Sequence, residues 1–140
     1  MKKVLIAIDG SPNSKNTLLE GASLAKKNKA RITLVTVAQT SFEADLNENE
    51  IKLLKDAVIL KARVLLEETA SALKRLKIKA DAVLREGDPA DEILLVANEI
   101  KPDIIVVGSK GKGKISRFFL GSVSRKIAEL AKCSVLVVKQ

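Results

Sequence analysis

Residues 108–122, which read GSKGKGKISRFFLGS, are rich in glycine and in positive charge. The stretch holds four glycines and four basic side chains, and it holds no carboxylate. Glycine allows a backbone to approach a ligand closely and to adopt dihedral angles that a Cβ resists. Several main-chain N–H groups can then bind one anion, and basic side chains add counter-charge. This stretch therefore predicts an anion site, and the alternative interpretation is a flexible surface loop.

A helix is expected to begin near Ser122, directly after this stretch. A helix N-terminus presents unpaired N–H groups and a partial positive charge, and both favour phosphate. We expect Gly108 and Gly111 to turn the chain around the phosphate and Gly121 to lead into the helix. Ser122 has two open roles, because it suits a plain helix cap as well as a phosphate contact. The basic side chains of the predicted site are Lys110, Lys112, Lys114 and Arg117.

The net charge of +8 is unevenly distributed along the chain. Residues 1–100 contain 16 Lys/Arg and 15 Asp/Glu, whereas residues 101–140 contain nine and two. Seven of the eight excess charges thus fall in the segment that holds the glycine-rich stretch. This bias favours a negatively charged ligand, and improved solubility alone is the alternative.

Composition disfavours much enzyme chemistry. The chain has no histidine, which is the usual general base and the commonest zinc ligand, and Cys133 is its single cysteine. No internal disulfide can form, and without a histidine partner Cys133 is interpreted as a core residue. The apolar run at residues 4–8 is too short for a signal peptide, and no run reaches the roughly 18 residues of a transmembrane helix. We expect one cytoplasmic domain over residues 1–140 with no membrane association.

Short apolar segments alternate with longer segments of helical period. Strands are predicted at residues 4–8, 31–38, 78–86, 103–108 and 134–139, and most are continuously apolar, as in parallel sheets covered on both faces. Helices are predicted from Ser11-Pro12, over residues 47–76, from Asp88-Pro89, and from near Ser122. The inward positions predicted for the second helix are Ile51, Leu54, Val58, Ala62, Leu65, Thr69, Leu73 and Leu76, and those for the fourth are Val123, Ile127 and Leu130.

The element order predicts an α/β fold with a five-stranded parallel sheet and helices on both faces. The strand order expected for a doubly wound arrangement is 3-2-1-4-5. Open sheets of this kind bind ligands at the carboxyl ends of the strands where the order reverses. That point lies between the ends of strand 1, at Ile8-Asp9-Gly10, and strand 4, at Val107-Gly108. The glycine-rich stretch begins at this crevice.

The sequence does not match the Walker A motif or the G-x-G-x-x-G motif, two common signatures of nucleotide-binding proteins. Residues 108–114 match G-x-x-x-x-G-K, the beginning of a Walker A loop, but Ile115 stands where Ser or Thr should bind magnesium. The first predicted strand is followed by IDGSPNS, which lacks G-x-G-x-x-G. The sequence therefore argues against a P-loop NTPase and against a dinucleotide-binding Rossmann site.

Over its whole length the chain resembles the universal stress proteins, in the branch that binds ATP. The resemblance lies in VLIAIDGSPNS, in GDPADEILLVANEIKPDIIVVGSKGKG and in FFLGSVSRKIAELAKCSVLVV. Its most specific element is G-x2-G-x9-G-[ST], which Gly108, Gly111 and Gly121-Ser122 match with the correct gaps. It implies a Rossmann-like fold of the adenine nucleotide alpha hydrolase-like type. Ser134 departs from the proline common in the family, which should affect only the turn before the last strand.

The resemblance also implies roles for single residues. Ala7 and Gly108 would lie near the ribose, and Asp9 and the main chain of Val37 would meet the adenine. The alternative for Asp9 is to cap the turn into the first helix. The residues expected to bind nucleotide are Ala7, Asp9, Val37, Val107, Gly108, Ser109, Lys110, Gly111, Lys112, Gly113, Gly121, Ser122 and Val123. The implied ligand is ATP, ADP or AMP with Mg²⁺ or Mn²⁺.

The function expected from these observations is a small regulatory nucleotide-binding protein of the stress response. The resemblance implies a homodimer through residues 134–139, where an apolar edge strand would otherwise be bare. A slow ATPase or a self-phosphorylating enzyme at the same site is the main alternative, with Asp9 as the obvious carboxylate. Nucleic-acid binding and flavin binding are less favoured, because the chain has three Phe and no Tyr or Trp for stacking.

Overall fold

The computed structural model describes residues 1–110 and 120–139, in which strands and helices alternate. The strands are β1 (Lys3–Ala7), β2 (Arg31–Ala38), β3 (Ala80–Glu86), β4 (Ile104–Gly108) and β5 (Ser134–Val138). The helices are α1 (Pro12–Asn28), α2 (Glu48–Arg75), α3 (Pro89–Ile100) and α4 (Ser122–Leu130). These bounds lie close to those predicted from the sequence.

The strands form one parallel sheet in the order β3-β2-β1-β4-β5, so the predicted order is confirmed. The chain runs outward from the central β1 through β2 to β3. It then returns to the other side of β1 and runs outward through β4 to β5. The order therefore reverses between β1 and β4, and the carboxyl ends of both strands lie at the same edge of the sheet.

Alternate side chains of the sheet enter two cores, one on each face. Val4 and Ile6 of β1 lie in the core that α1 and α2 cover, together with Ala22, Ala25, Leu66 and Leu73. Leu5 and Ala7 lie in the core that α3 and α4 cover, together with Ile93, Val96 and Ile127. Burial of a large aliphatic side chain contributes about 1.5–3 kcal/mol. This double cover explains why the strands read as continuous apolar runs, and it confirms helices on both faces.

Three apolar residues that helical periodicity places inward are exposed instead. Leu54, Leu76 and Leu130 are 42%, 66% and 58% exposed. The first half of α2 extends beyond the cover of the sheet, and its buried residues are Ala62, Leu66 and Leu73. Leu76 follows the last residue of α2, and Leu130 ends α4. Periodicity gives the direction of a side chain but not the extent of the surface beneath it.

In the part of the chain that the structure describes, no helix is both long enough and apolar enough to cross a membrane.

Candidate functional site

A cavity of about 310 Å³ lies at the carboxyl ends of β1, β2 and β4. The first turns of α1 and α4 and the beginning of α3 complete its wall. It therefore occupies the place where the strand order reverses, which is where open parallel sheets bind their ligands.

The described part of the predicted site is gathered around this cavity. The predicted residues that line it are Ala7, Asp9, Val37, Val107, Gly108, Ser109, Lys110, Gly121, Ser122 and Val123. The other predicted residues, Gly111, Lys112 and Gly113, lie outside the described residues. The structure thus brings together residues from β1, β2, β4 and α4, while their contact with a nucleotide stays a prediction.

Main-chain hydrogen bonds hold the end of β4 beside the first turn of α4. The Ser109 N–H donates to the Val138 carbonyl oxygen at 2.8 Å, and the Gly121 N–H donates to the Ser109 carbonyl oxygen at 2.7 Å. The Ser124 hydroxyl donates to the Gly121 carbonyl oxygen at 3.0 Å. Ser109, Gly121 and Ser124 are buried, so these hydrogen bonds fix the position of the first turn of α4 relative to the end of β4.

The first turn of helix α4 lies at the cavity, and the N–H groups of Ser122 and Val123 form no hydrogen bond with the described residues. Gly121 is its N-cap, and Ser122 is its first residue, so the expectation that the Ser122 side chain caps the helix is wrong. Gly121 has no side chain, and its position makes no side-chain capping hydrogen bond. The first N–H groups of a helix have no partner within the helix, and they carry a partial positive charge. Ser122 and Val123 line the cavity, so an anion there would find ready donors.

Gly108 is required by packing and not by its own backbone angles. Among the described glycines only Gly10 and Gly87 have positive φ, so the expectation that Gly108 turns the chain through dihedrals closed to other residues is wrong. A Cβ at Gly108 would lie 2.7 Å from Asn13 Nδ2 and 3.0 Å from Thr17 Oγ1. Both side chains are buried in α1. Gly108 therefore lets α1 pack directly on the end of β4.

Asp9 organises the turn from β1 into α1. Its Oδ1 accepts hydrogen bonds from the Ser11 N–H at 2.9 Å and from the Ser14 hydroxyl at 2.7 Å, and the Asp9 N–H donates to Ser14 Oγ at 2.9 Å. Gly10 adopts a φ of 78° in the same turn. The structure therefore supports the capping role that was the alternative for Asp9. Asp9 is also half-buried and lines the cavity.

The β2 side of the cavity is mostly apolar, with Gln39 as its polar residue. Val35 and Val37 of β2 form this side together with Pro89 and Ile93 of α3. Since β2 and β4 flank β1 on opposite sides, Val35 and Val37 lie across β1 from the residues at the end of β4. The cavity thus suits a ligand that has an apolar ring at one end and an anionic group at the other.

Lys110 and Asp9 are the charged residues in the described lining. Within residues 1–110 and 120–139 no group of three or more Cys, Asp or Glu side chains is placed to hold a metal ion. Mg²⁺ in proteins often binds through one or two carboxylates together with substrate phosphates. One carboxylate therefore fits a metal ion that arrives with a polyphosphate, and it does not fit a metal site built by the protein alone.

Sequence reasoning missed about half of the lining. The additional residues are Ile8, Ser11, Ser14, Thr17, Val35, Gln39, Pro89, Ile93 and Ser124. Ser11 and Ser14 carry a usable signal, since they open the helix that follows β1 and thus lie at the carboxyl edge of the sheet. Pro89 carries the same signal, since it opens the helix that follows β3, whereas only the packing of α3 brings Ile93 to the cavity.

Cys133 lies away from this cavity and packs against the core covered by α3 and α4. Burial raises the pKa of its thiol, which disfavours the thiolate. This agrees with its interpretation as a structural residue.

Known proteins resemble this chain over its whole length. The model of the Universal stress protein family matches residues 1–139. Universal stress protein YxiE of Bacillus subtilis is 32% identical over 145 residues, which cover 98% of this chain and 98% of the relative. The structure of universal stress protein UspA from Lactobacillus plantarum has a TM-score of 0.87 at 20% identity, covering 98% and 97% of the two chains.

A further solved structure is a universal stress protein in complex with cAMP. It has a TM-score of 0.71 at 26% identity and covers 98% of this chain and 96% of that one. The family match begins before β1 and ends after β5, so it includes every element of the fold. On this evidence the chain belongs to the universal stress protein family.

Proposed function

We propose that this chain is a regulatory protein that binds an adenine nucleotide, ATP first among them, in the cavity between β1 and β4. The observation that carries the proposal is the pairing of two unlike walls in one cavity. The first turn of α4 forms one part of the lining, and apolar residues of β2 and α3 form another part. A nucleotide has the same division between phosphates and base.

The phosphates would bind at the beginning of α4. The N–H groups of Ser122 and Val123 are donors in the first turn, and Lys110 supplies positive charge. Such hydrogen bonds to a charged acceptor are about twice as strong as those between neutral groups. The hydrogen bonds that fix Ser109 and Gly121 hold these donors in position before a ligand binds.

The adenine would lie against the apolar wall. Val37 is half-buried at the end of β2, and its main chain would face the base while Val35 and Ile93 cover the ring. Ala7 and Gly108, at the ends of β1 and β4, would lie beside the ribose. In this arrangement the nucleotide would lie in an extended conformation across the cavity, from the first turn of α4 to the apolar wall.

The cAMP-bound relative supports a nucleotide as the ligand class. The proposed metal ion, Mg²⁺ or Mn²⁺, would arrive with the phosphates and have Asp9 as its nearest carboxylate. In that role Asp9 would offer a negatively charged oxygen, and the remaining ligands would be phosphate oxygens and water.

The proposal is for binding and not for efficient turnover. Hydrolysis requires a group that orients water for attack. Asp9 is the one carboxylate in the described lining, and its Oδ1 already accepts two hydrogen bonds in the turn into α1. Phosphate release with magnesium, compared between the chain and its Asp9→Ala variant, distinguishes the two functions.

A homodimer through β5 completes the proposal. β5 pairs with β4 on one side only, and its other edge is unpaired among the described strands. Val135, Leu136 and Val137 are half-buried in the single chain. A second copy would cover these residues and satisfy the free main-chain groups of the edge.

The direct test is to denature freshly purified protein and to identify any released small molecule by chromatography. We expect an adenine nucleotide at up to one equivalent per chain, and protein stripped of it should bind added ATP in calorimetry. Protein that releases nothing, and that shows no heat of binding with ATP, ADP or AMP, would refute the proposal.

A further inference from the structure

A second concave surface lies at the opposite end of the molecule from the nucleotide cavity. It is a groove of about 1210 Å³ between the C-terminal ends of α1 and α2 and the first residues of β2 and β3. Six cationic side chains and one carboxylate, Asp81, line it. The cationic residues are Lys26, Lys29, Arg31, Lys74, Lys77 and Lys79. We call this surface the basic groove.

The six positive charges of the basic groove exceed the negative charge of the two helix C-termini and of Asp81. A helix C-terminus carries about half a negative charge, so the two helix ends together offset about one of the cations. Asp81 pairs with Arg31 at 3.6 Å on the surface and offsets one more. Within the described residues the five lysines of the groove form no ion pair. Most of the charge is therefore available to a partner.

Two of these lysines occupy backbone positions that favour glycine. Lys29 ends α1 with a φ of 53°, and Lys77 follows α2 with a φ of 61°. A left-handed conformation is sterically disfavoured for residues with a Cβ, and helices commonly end there with glycine. Lys101 has the same conformation after α3, outside the groove, and the helix dipole favours a cation at a helix C-terminus, so these two positions supply charge to the groove but do not by themselves indicate a ligand.

The floor of the basic groove is apolar. Ala25 and Ile32 are buried at its base, Ile78 and Ala80 are half-buried, and Leu76 is 66% exposed at its rim. We propose that the basic groove binds an extended acidic segment of a partner protein, in which carboxylates alternate with aliphatic side chains. The carboxylates would meet the lysines at the rim, and the aliphatic side chains would cover the floor.

The shape and chemistry of the groove favour such a peptide over other polyanions. Nucleic acids have no aliphatic groups for the floor, and proteins that bind single strands add aromatic side chains, none of which line this groove. A membrane surface is too broad to enter a groove between two helix ends. A single peptide strand, by contrast, can enter it and use both the charge and the floor.

The test uses a labelled ten-residue peptide of alternating Glu and Leu, titrated with the full chain and followed by fluorescence anisotropy. The variant Lys29→Gly/Lys77→Gly removes two groove charges and relaxes both backbone positions, so its fold is retained. The control Lys15→Ala/Lys52→Ala removes the same charge from the same two helices outside the groove. Urea denaturation checks that all three proteins are folded.

We expect saturable binding that weakens with salt, because the attraction is between exposed charges. The glycine variant should lose about tenfold in affinity, equal to 1.4 kcal/mol, and the control should stay within about twofold. Absence of binding to the chain, or equal affinity of the variant and the control, overturns the proposal. A twenty-nucleotide single-stranded DNA or a vesicle of phosphatidylglycerol that binds the groove more tightly than the peptide also overturns it. ATP binding by the same proteins is measured separately. Its loss or retention tests the proposed function of the cavity between β1 and β4, and it does not test the basic groove.

Discussion

Gly108 and Asn13 share a space that admits no additional carbon atom. Asn13 is 2% exposed, and its Nδ2 donates a hydrogen bond to the Val138 carbonyl oxygen at 3.1 Å. The same carbonyl accepts from the Ser109 N–H. One side chain of α1 thus packs on β4 and bonds to β5 beside the cavity. The sequence shows a glycine at this position but not its partner, which only the packing of α1 reveals.

We expect Gly108→Ala to destabilise the fold by about 1–3 kcal/mol, the usual cost of overpacking a core. The new methyl group would lie 2.7 Å from Asn13 Nδ2, so Asn13→Ala should make room for it. Urea denaturation of both single variants and of the double variant measures the coupling. If Gly108→Ala costs the same with and without Asn13, the packing explanation is incorrect.

Lys110 lies at the proposed phosphate side of the cavity between β1 and β4, and its replacement tests the role of positive charge there. Lys110→Ala should weaken ATP binding by about fivefold to tenfold, because one charge contact to phosphate is lost, and it should leave adenosine within about twofold. Calorimetry with both ligands measures the difference, and Lys61→Ala on the exposed face of α2 is the matched control. Equal losses for ATP and adenosine would remove the phosphate role of Lys110.

At the scale of elements, periodicity and composition were sufficient for most of the fold. Continuous apolar runs predicted β1, β2, β4 and β5, and the alternation of strands with helices predicted the sheet order that the structure confirms. The exposed Leu54 and Leu76 show the limit of this reasoning. How far a helix extends beyond the sheet depends on the tertiary arrangement, which local periodicity does not contain.

Asp103 joins the beginning of β4 to the beginning of β1. Its Oδ2 accepts from the Lys2 N–H at 2.6 Å and from the Lys3 N–H at 2.8 Å, and these hydrogen bonds hold the pKa of its carboxyl below the usual 3.8. When the pKa of a carboxyl is lower in the folded state than in the unfolded state, its ionised form stabilises the fold at pH values above the unfolded pKa. This stabilisation is lost as the pH falls through the folded pKa.

Asp103→Asn should therefore be less stable than the parent chain at pH 7, and the difference should shrink on acidification below pH 3.8. Urea midpoints at pH 7 and pH 3 measure this, with Glu129→Gln on α4 as a surface control. A difference that is unchanged by pH would show that the charge of Asp103 is not the cause.

The free edge of β5 gives a test of the proposed dimer. The Val138 carbonyl bonds toward β4, and main-chain groups alternate sides along a strand, so the Val137 N–H points to the free edge. Val137→Pro removes that N–H and leaves the β4 ladder intact. We expect a folded monomer by sedimentation, whereas Leu136→Pro should disrupt the fold. A dimer that survives Val137→Pro must use another surface.

At the scale of the whole molecule, the order of the charged residues along the sequence does not show where they lie in the structure. Residues 1–100 are almost neutral, yet the fold gathers six of their cations around the basic groove. Charge counting along the chain located the glycine-rich stretch but not this second surface. The same limit applies to the cavity between β1 and β4, since Ile93 reaches it only through the packing of α3.

The central claim is that main-chain N–H groups at the beginning of α4 bind the phosphates. Ser122→Pro tests it most directly, because proline is tolerated at the first position of a helix and removes one N–H donor. Ser122→Ala is the control, since it removes the hydroxyl and keeps the N–H. In calorimetry with ATP, Ser122→Pro should lose about tenfold or more in affinity, while adenosine binding and Ser122→Ala stay within about threefold. Binding of ATP by Ser122→Pro with the affinity of the parent chain would contradict the account.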